Sequence, residues 1–192
     1  MKLILASASP RRKALLTTIG IPIFKVVPSH IEESRQSEES LIAYCSRLAI
    51  EKSQALAIHE GVILAADTIV TQGSALFEKP IDDSDAVHIL SQLSGKWHTV
   101  ITAWALYQPH NQQLKHGYTT SDVLFRVLSS QEILSYVHTK EGRDKAGAYG
   151  IQGLGAALIS SIKGSYSNIV GLPLEAILPE LKRLGITPQE PS

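Results

Sequence analysis

Apolar runs and helical repeats alternate through the first half of the chain. The run Lys2–Ala6 predicts a buried strand, and Ile21–Val27 predicts a second strand after a short helix over Arg12–Ile19. Apolar residues then recur at helical spacing through Glu38–Ile58, with acids in the first turn, and Val62–Val70 is a continuous apolar strand. The first half is therefore predicted as strands connected by helices.

The second half is predicted to contain a long hairpin and three helices. Ser129 and Glu132 have the spacing of a capping box at the start of one helix. Pro179 lies inside the last predicted helix and should kink it, because proline lacks an N–H and clashes with the preceding turn. A glycine-rich loop spans Glu141–Gly155. The predicted helices are Asp82–Leu93, Ser130–Thr139 and Leu174–Leu184, and the predicted strands are Trp97–Tyr107, Leu114–Leu128 and Ala156–Ile162.

The composition is that of a globular domain and excludes several classes of function. The chain has 192 residues, of which 44% are hydrophobic and 19% charged, so we expect one domain over residues 1–192, built as two lobes. Lysine plus arginine and aspartate plus glutamate both total 18, so the basic field that polymeric nucleic acid requires is missing. The sequence shows no signal-peptide pattern and no run near the roughly 20 apolar residues of a membrane span. We therefore expect a cytosolic protein that binds neither membranes nor nucleic-acid polymers.

The segment after the first predicted strand combines hydroxyls, a proline and three cations, Ser7-Ala-Ser9-Pro-Arg11-Arg12-Lys13. The N–H groups and the dipole of a helix start favour an anion, and arginine matches phosphate oxygens bidentately. The segment therefore points to a small phosphorylated ligand. The alternative is a capped helix with a solvated basic face, since adjacent residues on a helix point in different directions.

Carboxylates and lysines elsewhere offer further chemistry. Asp67 interrupts an apolar strand, and a buried carboxylate needs a partner or a metal, or else backbone N–H groups in a turn. Glu32-Glu33 suits a divalent cation with oxygen ligands, although acid pairs are common in loops. Lys52 and Lys79, the latter in Glu78-Lys-Pro80, have on pattern alone the character of solvated lysines.

The loop Asp144–Gly155 differs from the known phosphate-binding loops. Its last glycines run G-x-x-G-x-G, which reverses the dinucleotide fingerprint, and the loop leads into a strand. The glycines would let backbone approach a ligand closely, and Gln152 offers an amide that can read a base. The single cysteine, Cys45, is predicted as a small core residue, and the seven histidines form no H-x-x-x-H pair.

Taken in order, these segments resemble the Maf family of nucleoside triphosphate pyrophosphatases. The resemblance covers essentially the whole chain, and its specificity comes from the conjunction of motifs that are individually weak. It implies an α/β fold related to the inosine triphosphate pyrophosphatases, with an elongated mixed sheet flanked by helices and a nucleotide cleft between two lobes. The motifs are Ala6–Arg12, Ile31–Glu33, Glu51-Lys52, Ala66–Thr68, Glu78–Pro80, Leu93–Gly95, Asp144–Gly155, Ser165-Tyr166 and Val170–Leu174.

The resemblance also implies a reaction and roles for individual residues. A nucleoside triphosphate is hydrolysed between its α- and β-phosphates, with Mg²⁺ or Mn²⁺, to the monophosphate and pyrophosphate. Asp67 is the implied general base. Catalysis is assigned to Asp67, Lys52 and Lys79, metal binding to Glu33 and Asp67, and substrate binding to Ser7, Ser9 and Arg12.

Three positions resemble the branch of the family that cleaves dTTP and UTP. The branch that cleaves 7-methyl-GTP usually has a bulky apolar residue at the position of Arg11 and a glutamine at the position of Thr68. It has a Ser-Glu-Gly-like run where this chain has Gln152. The resemblance therefore implies that these residues select a pyrimidine base. Ala66 departs from the usual glycine or serine, but alanine is small enough to fit.

Two other functions stay open at this point, besides a house-cleaning pyrophosphatase with a link to cell-division arrest. One is a pyrophosphatase for 7-methyl-GTP or another modified nucleotide. The other is a non-catalytic nucleotide sensor that regulates septum formation, which the carboxylates disfavour because they would repel phosphates in a pure binder. A homodimer would cover the strand edges of the predicted hairpin.

Overall fold

A computed structural model of the protein describes residues 1–58 and 60–189. Within these residues the chain alternates strands and helices. One short 3₁₀ helix, Ala146–Ala148, lies in the glycine-rich loop, and a second, Gly153–Leu158, extends past the end of that loop into the start of the predicted strand Ala156–Ile162. The strands are β1 (Leu3–Leu5), β2 (Lys25–Val26), β3 (Val62–Gln72), β4 (Ala75–Phe77), β5 (Trp97–Gln108), β6 (Gln113–Phe125) and β7 (Ile159–Lys163). The helices are α1 (Pro10–Thr18), α2 (Leu41–Gln54), α3 (Asp83–Leu93), α4 (Ser130–His138), α5 (Tyr166–Val170) and α6 (Leu174–Arg183).

The strands form a mixed sheet in the order β2-β1-β3-β5-β6-β7, with β4 paired to β3. β1 runs parallel to both neighbours, so that Ile4 lies opposite Lys25 on one side and Ile63 on the other. β4 and β7 are antiparallel to β3 and β6. A mixed sheet flanked by helices is the predicted α/β class.

The chain divides into two compact units. Unit 1 comprises Met1–Asp67, Thr102–Thr119 and Gly171–Ser192, and unit 2 comprises Thr68–Ile101 and Thr120–Val170. In unit 1, apolar residues of β1 and β3 pack in one core with residues of α1 and α6. In unit 2, a separate core gathers apolar residues of α3, α4 and β6. Each unit therefore buries its own apolar faces, which accounts for most of its stability.

The second predicted helix begins later than its sequence pattern suggests. α2 starts at Leu41, and the Ser40 hydroxyl accepts the Ala43 N–H at 3.1 Å. Glu38 has a φ of 61°, which a right-handed helix cannot include. The prediction of acids in the first helical turn was therefore wrong, because the backbone reverses before the helix begins.

Other boundaries shift in smaller ways. β2 keeps only two residues of the predicted strand Ile21–Val27, and the short elements β4 and α5 were not predicted. The capping box of α4 is confirmed, since the Glu132 N–H donates to the Ser129 hydroxyl at 3.2 Å and the Ser129 N–H to the Glu132 carboxylate at 2.8 Å. Pro179 lies inside α6. None of the helices in the described part of the chain combines the length and apolar character that crossing a membrane requires.

Candidate active site

Asp67 is a carboxylate set into the buried strand β3. The five residues before it are buried and apolar, and its own side chain is only 10% exposed. Its Oδ1 atom lies 2.6 Å from the Lys52 Nζ atom. Asp67 therefore lies in a strand and is paired with a lysine. It is not held by the backbone N–H groups of a turn.

Lys52 connects two carboxylates. It lies in the last turn of α2, and its Nζ atom is also 2.7 Å from the Glu33 Oε1 atom. The Lys52 side chain is 10% exposed, whereas that of Glu33 is 45% exposed. Lys52 is therefore not the solvated lysine that its pattern alone suggests. Burial of its ammonium is tolerated because two carboxylates offset the lost hydration.

The segment that carries Glu33 is held against α2. The Tyr44 hydroxyl donates to the Glu33 carbonyl at 2.9 Å, and the Arg47 guanidinium donates to the Ser34 carbonyl at 2.9 Å. Arg47 also pairs with Glu39 at 2.8 Å. The side chains of one helix therefore fix the backbone on which Glu33 sits, although the segment has no regular structure of its own.

Arg12 is anchored inside unit 1. Its Nε atom donates to the Gly171 carbonyl at 2.8 Å, and its Nη1 atom donates to the Ser7 hydroxyl at 3.1 Å. The same hydroxyl accepts the Ser9 N–H at 3.2 Å. Burial lowers the pKa of Arg12, and the nearby Asp67 carboxylate opposes that shift. A guanidinium stays charged in such a site, so Arg12 is a fixed cation at the start of α1.

Cys45 is a core residue whose sulfur faces the site, which no sequence pattern indicates. Its side chain is fully buried, as predicted, and its thiol donates to the Asp67 carbonyl at 3.4 Å. Burial and the Asp67 charge raise the pKa of Cys45 to about 12. The thiol is therefore neutral at physiological pH.

The residues assigned from the sequence fall into the two units. Ser7, Ser9, Arg11, Arg12, Glu33, Lys52 and Asp67 belong to unit 1, and Thr68, Lys79 and Gln152 belong to unit 2. Arg11 is partly buried on α1, where its charge acts on Arg12. Thr68 is partly buried in β3, whereas Lys79, after β4, and Gln152 are exposed.

Within unit 2, a carboxylate that was not predicted organises the glycine-rich loop. Glu141 accepts the N–H groups of Leu154 and Gly155, both at 2.8 Å, and the Tyr136 hydroxyl at 3.1 Å. Although burial acts in the opposite direction, these hydrogen bonds hold the pKa of Glu141 below its usual value. The backbone that carries Gln152 is therefore anchored immediately after that residue.

The side chains that could bind a metal ion are few. Among residues 1–58 and 60–189, no three side chains of His, Cys, Asp or Glu come together as a metal site would require. Glu33 and Asp67 form a pair that Lys52 bridges. Two carboxylates suit Mg²⁺ only when phosphate and water oxygens complete its coordination.

Comparison with known protein families shows to which family the chain belongs. The model of the family described as Maf-like protein matches residues 2–184. The chain belongs to the Maf family. The resemblance drawn from the order of the motifs is thereby confirmed.

Relatives that carry the name dTTP/UTP pyrophosphatase are similar to the chain over nearly its whole length, and three of them serve as examples. The relative from Aquifex aeolicus is 42% identical over 97% of this chain and 97% of its own. The relative from Alcanivorax borkumensis is 48% identical over 91% of each chain. The relative from Shewanella oneidensis is 45% identical over 97% of this chain and 100% of its own.

Two solved structures share the fold at low sequence identity. A HAM1 protein from Coxiella burnetii has a TM-score of 0.55 and 13% identity, covering 95% of this chain and 99% of its own. The Staphylococcus aureus Ham1 protein has a TM-score of 0.56 and 14% identity, covering 96% and 100%. At such identity the likeness concerns architecture alone, and it confirms the predicted fold class of this Maf-family chain.

Proposed function

We propose that the protein hydrolyses dTTP and UTP to the nucleoside monophosphate and pyrophosphate. The observation that carries the proposal is the cluster of Arg12, Glu33, Lys52 and Asp67, in which the buried Lys52–Asp67 pair and the anchored Arg12 place cations beside carboxylates. Phosphoryl transfer depends mainly on positioning and on electrostatic stabilisation, which such a cluster provides. The names of the relatives support the choice of substrate.

Asp67 is the residue proposed to activate water. Lys52 holds its Oδ1 atom, so the carboxylate has a fixed orientation before substrate binds. Asp67 would accept a proton from a water molecule as the water oxygen bonds to the α-phosphorus in line with the leaving group. The bond from the α-phosphorus to the bridging oxygen then breaks, and pyrophosphate leaves with the electron pair.

The other assigned residues keep the roles that the family implies. Arg12 would bind phosphate oxygens, with Ser7 and Ser9 beside it, and Lys79 would stabilise charge on the departing pyrophosphate. Arg11, Thr68 and Gln152 would select the pyrimidine base. These roles rest on motif positions, to which the structure adds the anchoring of Arg12 and of the loop after Gln152.

A divalent cation, Mg²⁺ or Mn²⁺, fits this donor set as a partner of the substrate phosphates. Glu33 and Asp67 would supply its protein ligands, which matches the usual binding of Mg²⁺ by one or two carboxylates plus phosphate oxygens. The cation would neutralise charge that develops on the phosphates. A cytoplasmic location would suit a free nucleotide as substrate, and a homodimer stays a prediction from the hairpin.

A substrate panel tests the proposed function. The pyrophosphate released from dTTP, UTP, CTP and 7-methyl-GTP is measured with Mg²⁺, and kcat/KM is compared. We expect dTTP and UTP to exceed 7-methyl-GTP by at least about tenfold, since a tenfold preference needs only about 1.4 kcal/mol of differential binding. Preference for 7-methyl-GTP would favour the modified-nucleotide enzyme, and nucleotide binding without hydrolysis would favour the sensor.

A further inference from the structure

The Lys52 ammonium occupies the position between the two carboxylates that are proposed to bind the divalent cation. Its Nζ atom lies 2.7 Å from Glu33 Oε1 and 2.6 Å from Asp67 Oδ1. One oxygen of each carboxylate is therefore already paired with a positive charge. A free metal ion would have to displace this ammonium in order to bridge the same two oxygens.

The charges of the cluster balance without a metal. Glu33 and Asp67 bring two formal negative charges, and Arg12 and Lys52 bring two formal positive charges. A divalent cation added to this cluster would be repelled by both cations. The cluster therefore provides no net attraction for a free metal ion.

Glu33 and Asp67 are the charged partners of Lys52 in the described part of the chain. Lys52 as a whole is 8% exposed, so its charge depends on the two carboxylates for compensation. Across residues 1–58 and 60–189, no group of three His, Cys, Asp or Glu side chains could hold a metal ion by itself. A nucleoside triphosphate would supply what is missing in both respects. Its phosphates offer the Lys52 ammonium new partners, and they offer the metal additional oxygen ligands.

We infer that Lys52 is the resident cation of the Glu33–Asp67 pair and excludes free divalent cations, so that metal and nucleotide bind together. This inference rests on the proposed function, in which the substrate is a triphosphate. The binding of metal and of nucleotide is then coupled, and each raises the affinity of the other by the same factor. Lys52 thereby makes the binding of a divalent cation by Glu33 and Asp67 depend on the presence of the substrate.

The test is a titration of Mn²⁺ followed by the loss of the electron paramagnetic resonance signal of free Mn²⁺. The wild-type chain is titrated alone and with a dTTP analogue that has a methylene group between the α- and β-phosphates. The analogue's own binding of Mn²⁺ is measured separately and subtracted. We expect the protein alone to bind Mn²⁺ at least about tenfold more weakly than the complex with the analogue, a coupling within the usual range.

Variants separate the charge of Lys52 from its packing. Lys52→Met keeps most of the apolar stem and removes the charge, and it should bind free Mn²⁺ at least about tenfold more tightly than the wild type. Lys52→Arg keeps the charge and should still exclude the metal. Lys182→Met, at an exposed lysine on α6, serves as the matched control and should leave Mn²⁺ affinity unchanged.

Tight binding of Mn²⁺ by the wild type without the analogue would overturn the inference, as would unchanged affinity in a folded Lys52→Met. Thermal melts show which variants fold, and if Lys52→Met does not, the wild-type titrations with and without the analogue decide alone. Failure of the pyrophosphate assay on every nucleotide would contradict the proposed function. The comparison of free-Mn²⁺ affinities would still decide the role of Lys52 in that case.

Discussion

At the scale of single residues, the pairing of Lys52 with Asp67 is a buried ion pair, and the proposed reaction uses both of its members. Removing one partner of a buried ion pair typically costs about 3–5 kcal/mol, because the other charge is left without compensation. Glu33 gives Lys52 a second partner, so the loss of Asp67 should cost less than the loss of Lys52. Substitutions of these two residues are therefore expected to differ in stability.

Asp67→Asn removes the proposed general base and keeps the shape of the side chain. We expect kcat for dTTP to fall by about 10²–10⁴, the usual contribution of a positioned base. The pyrophosphate assay measures the rate, and a thermal melt confirms that the variant folds. Asp83→Asn, in the first turn of α3, is the control. A rate near that of the wild type in Asp67→Asn would remove Asp67 from this role.

His98 makes stability depend on pH. Its Nε2 atom lies 2.8 Å from the Tyr149 hydroxyl, and burial lowers the pKa of His98 to about 4. The unfolded chain, with a histidine pKa near 6.5, binds the proton more readily, so stability present above pH 6.5 is lost as pH falls toward 4. We expect His98 to account for a loss of about 2 kcal/mol between pH 7.5 and pH 5.

Urea unfolding at several pH values tests this expectation for His98. The loss should be reduced in His98→Asn and unchanged in His116→Asn, a substitution of an exposed histidine. Equal losses in the wild type and His98→Asn would show that other groups cause the pH dependence. The comparison uses only the change in the free energy of unfolding between pH values, so a lower absolute stability of His98→Asn does not alter the conclusion.

At the scale of elements, two anchors hold irregular segments in place. α2 holds the segment of Glu33 through Tyr44 and Arg47, and Glu141 holds the glycine-rich loop through two backbone N–H groups. In the first case a regular helix fixes the irregular segment, and in the second the partly buried Glu141 carboxylate does so. Irregular segments therefore need such anchors before they can position a ligand.

Glu141→Gln tests the anchor of the loop. The amide has one acceptor oxygen where the carboxylate had two charged ones, so one N–H loses its partner, at a cost of about 1–3 kcal/mol. If Gln152 reads the base, the ratio of kcat/KM for dTTP to that for 7-methyl-GTP should fall severalfold. Glu132→Gln, in the capping box of α4, is the matched control and should leave the ratio unchanged. An unchanged ratio in Glu141→Gln would mean that the loop does not select the base.

At the scale of the whole molecule, local patterns predicted the long elements and the family, but not the contacts of the site. The strand of Asp67 was evident from its apolar run, whereas its pairing with Lys52 joins residues 15 positions apart. Arg12 and Gly171 are separated by 159 positions. Such pairings arise from tertiary packing, which periodicity does not encode. β4 and α5, with three and five residues, are too short to show a period.

The buried thiol beside Asp67 has a practical consequence for spectroscopy. Cys45 is the only cysteine, it is fully buried, and its pKa is raised to about 12. Maleimides and methanethiosulfonates react with thiolates, so the native chain should remain unlabelled under conditions in which a surface cysteine reacts fully. A spin label or fluorophore can therefore be attached at one chosen surface position without first replacing the natural cysteine.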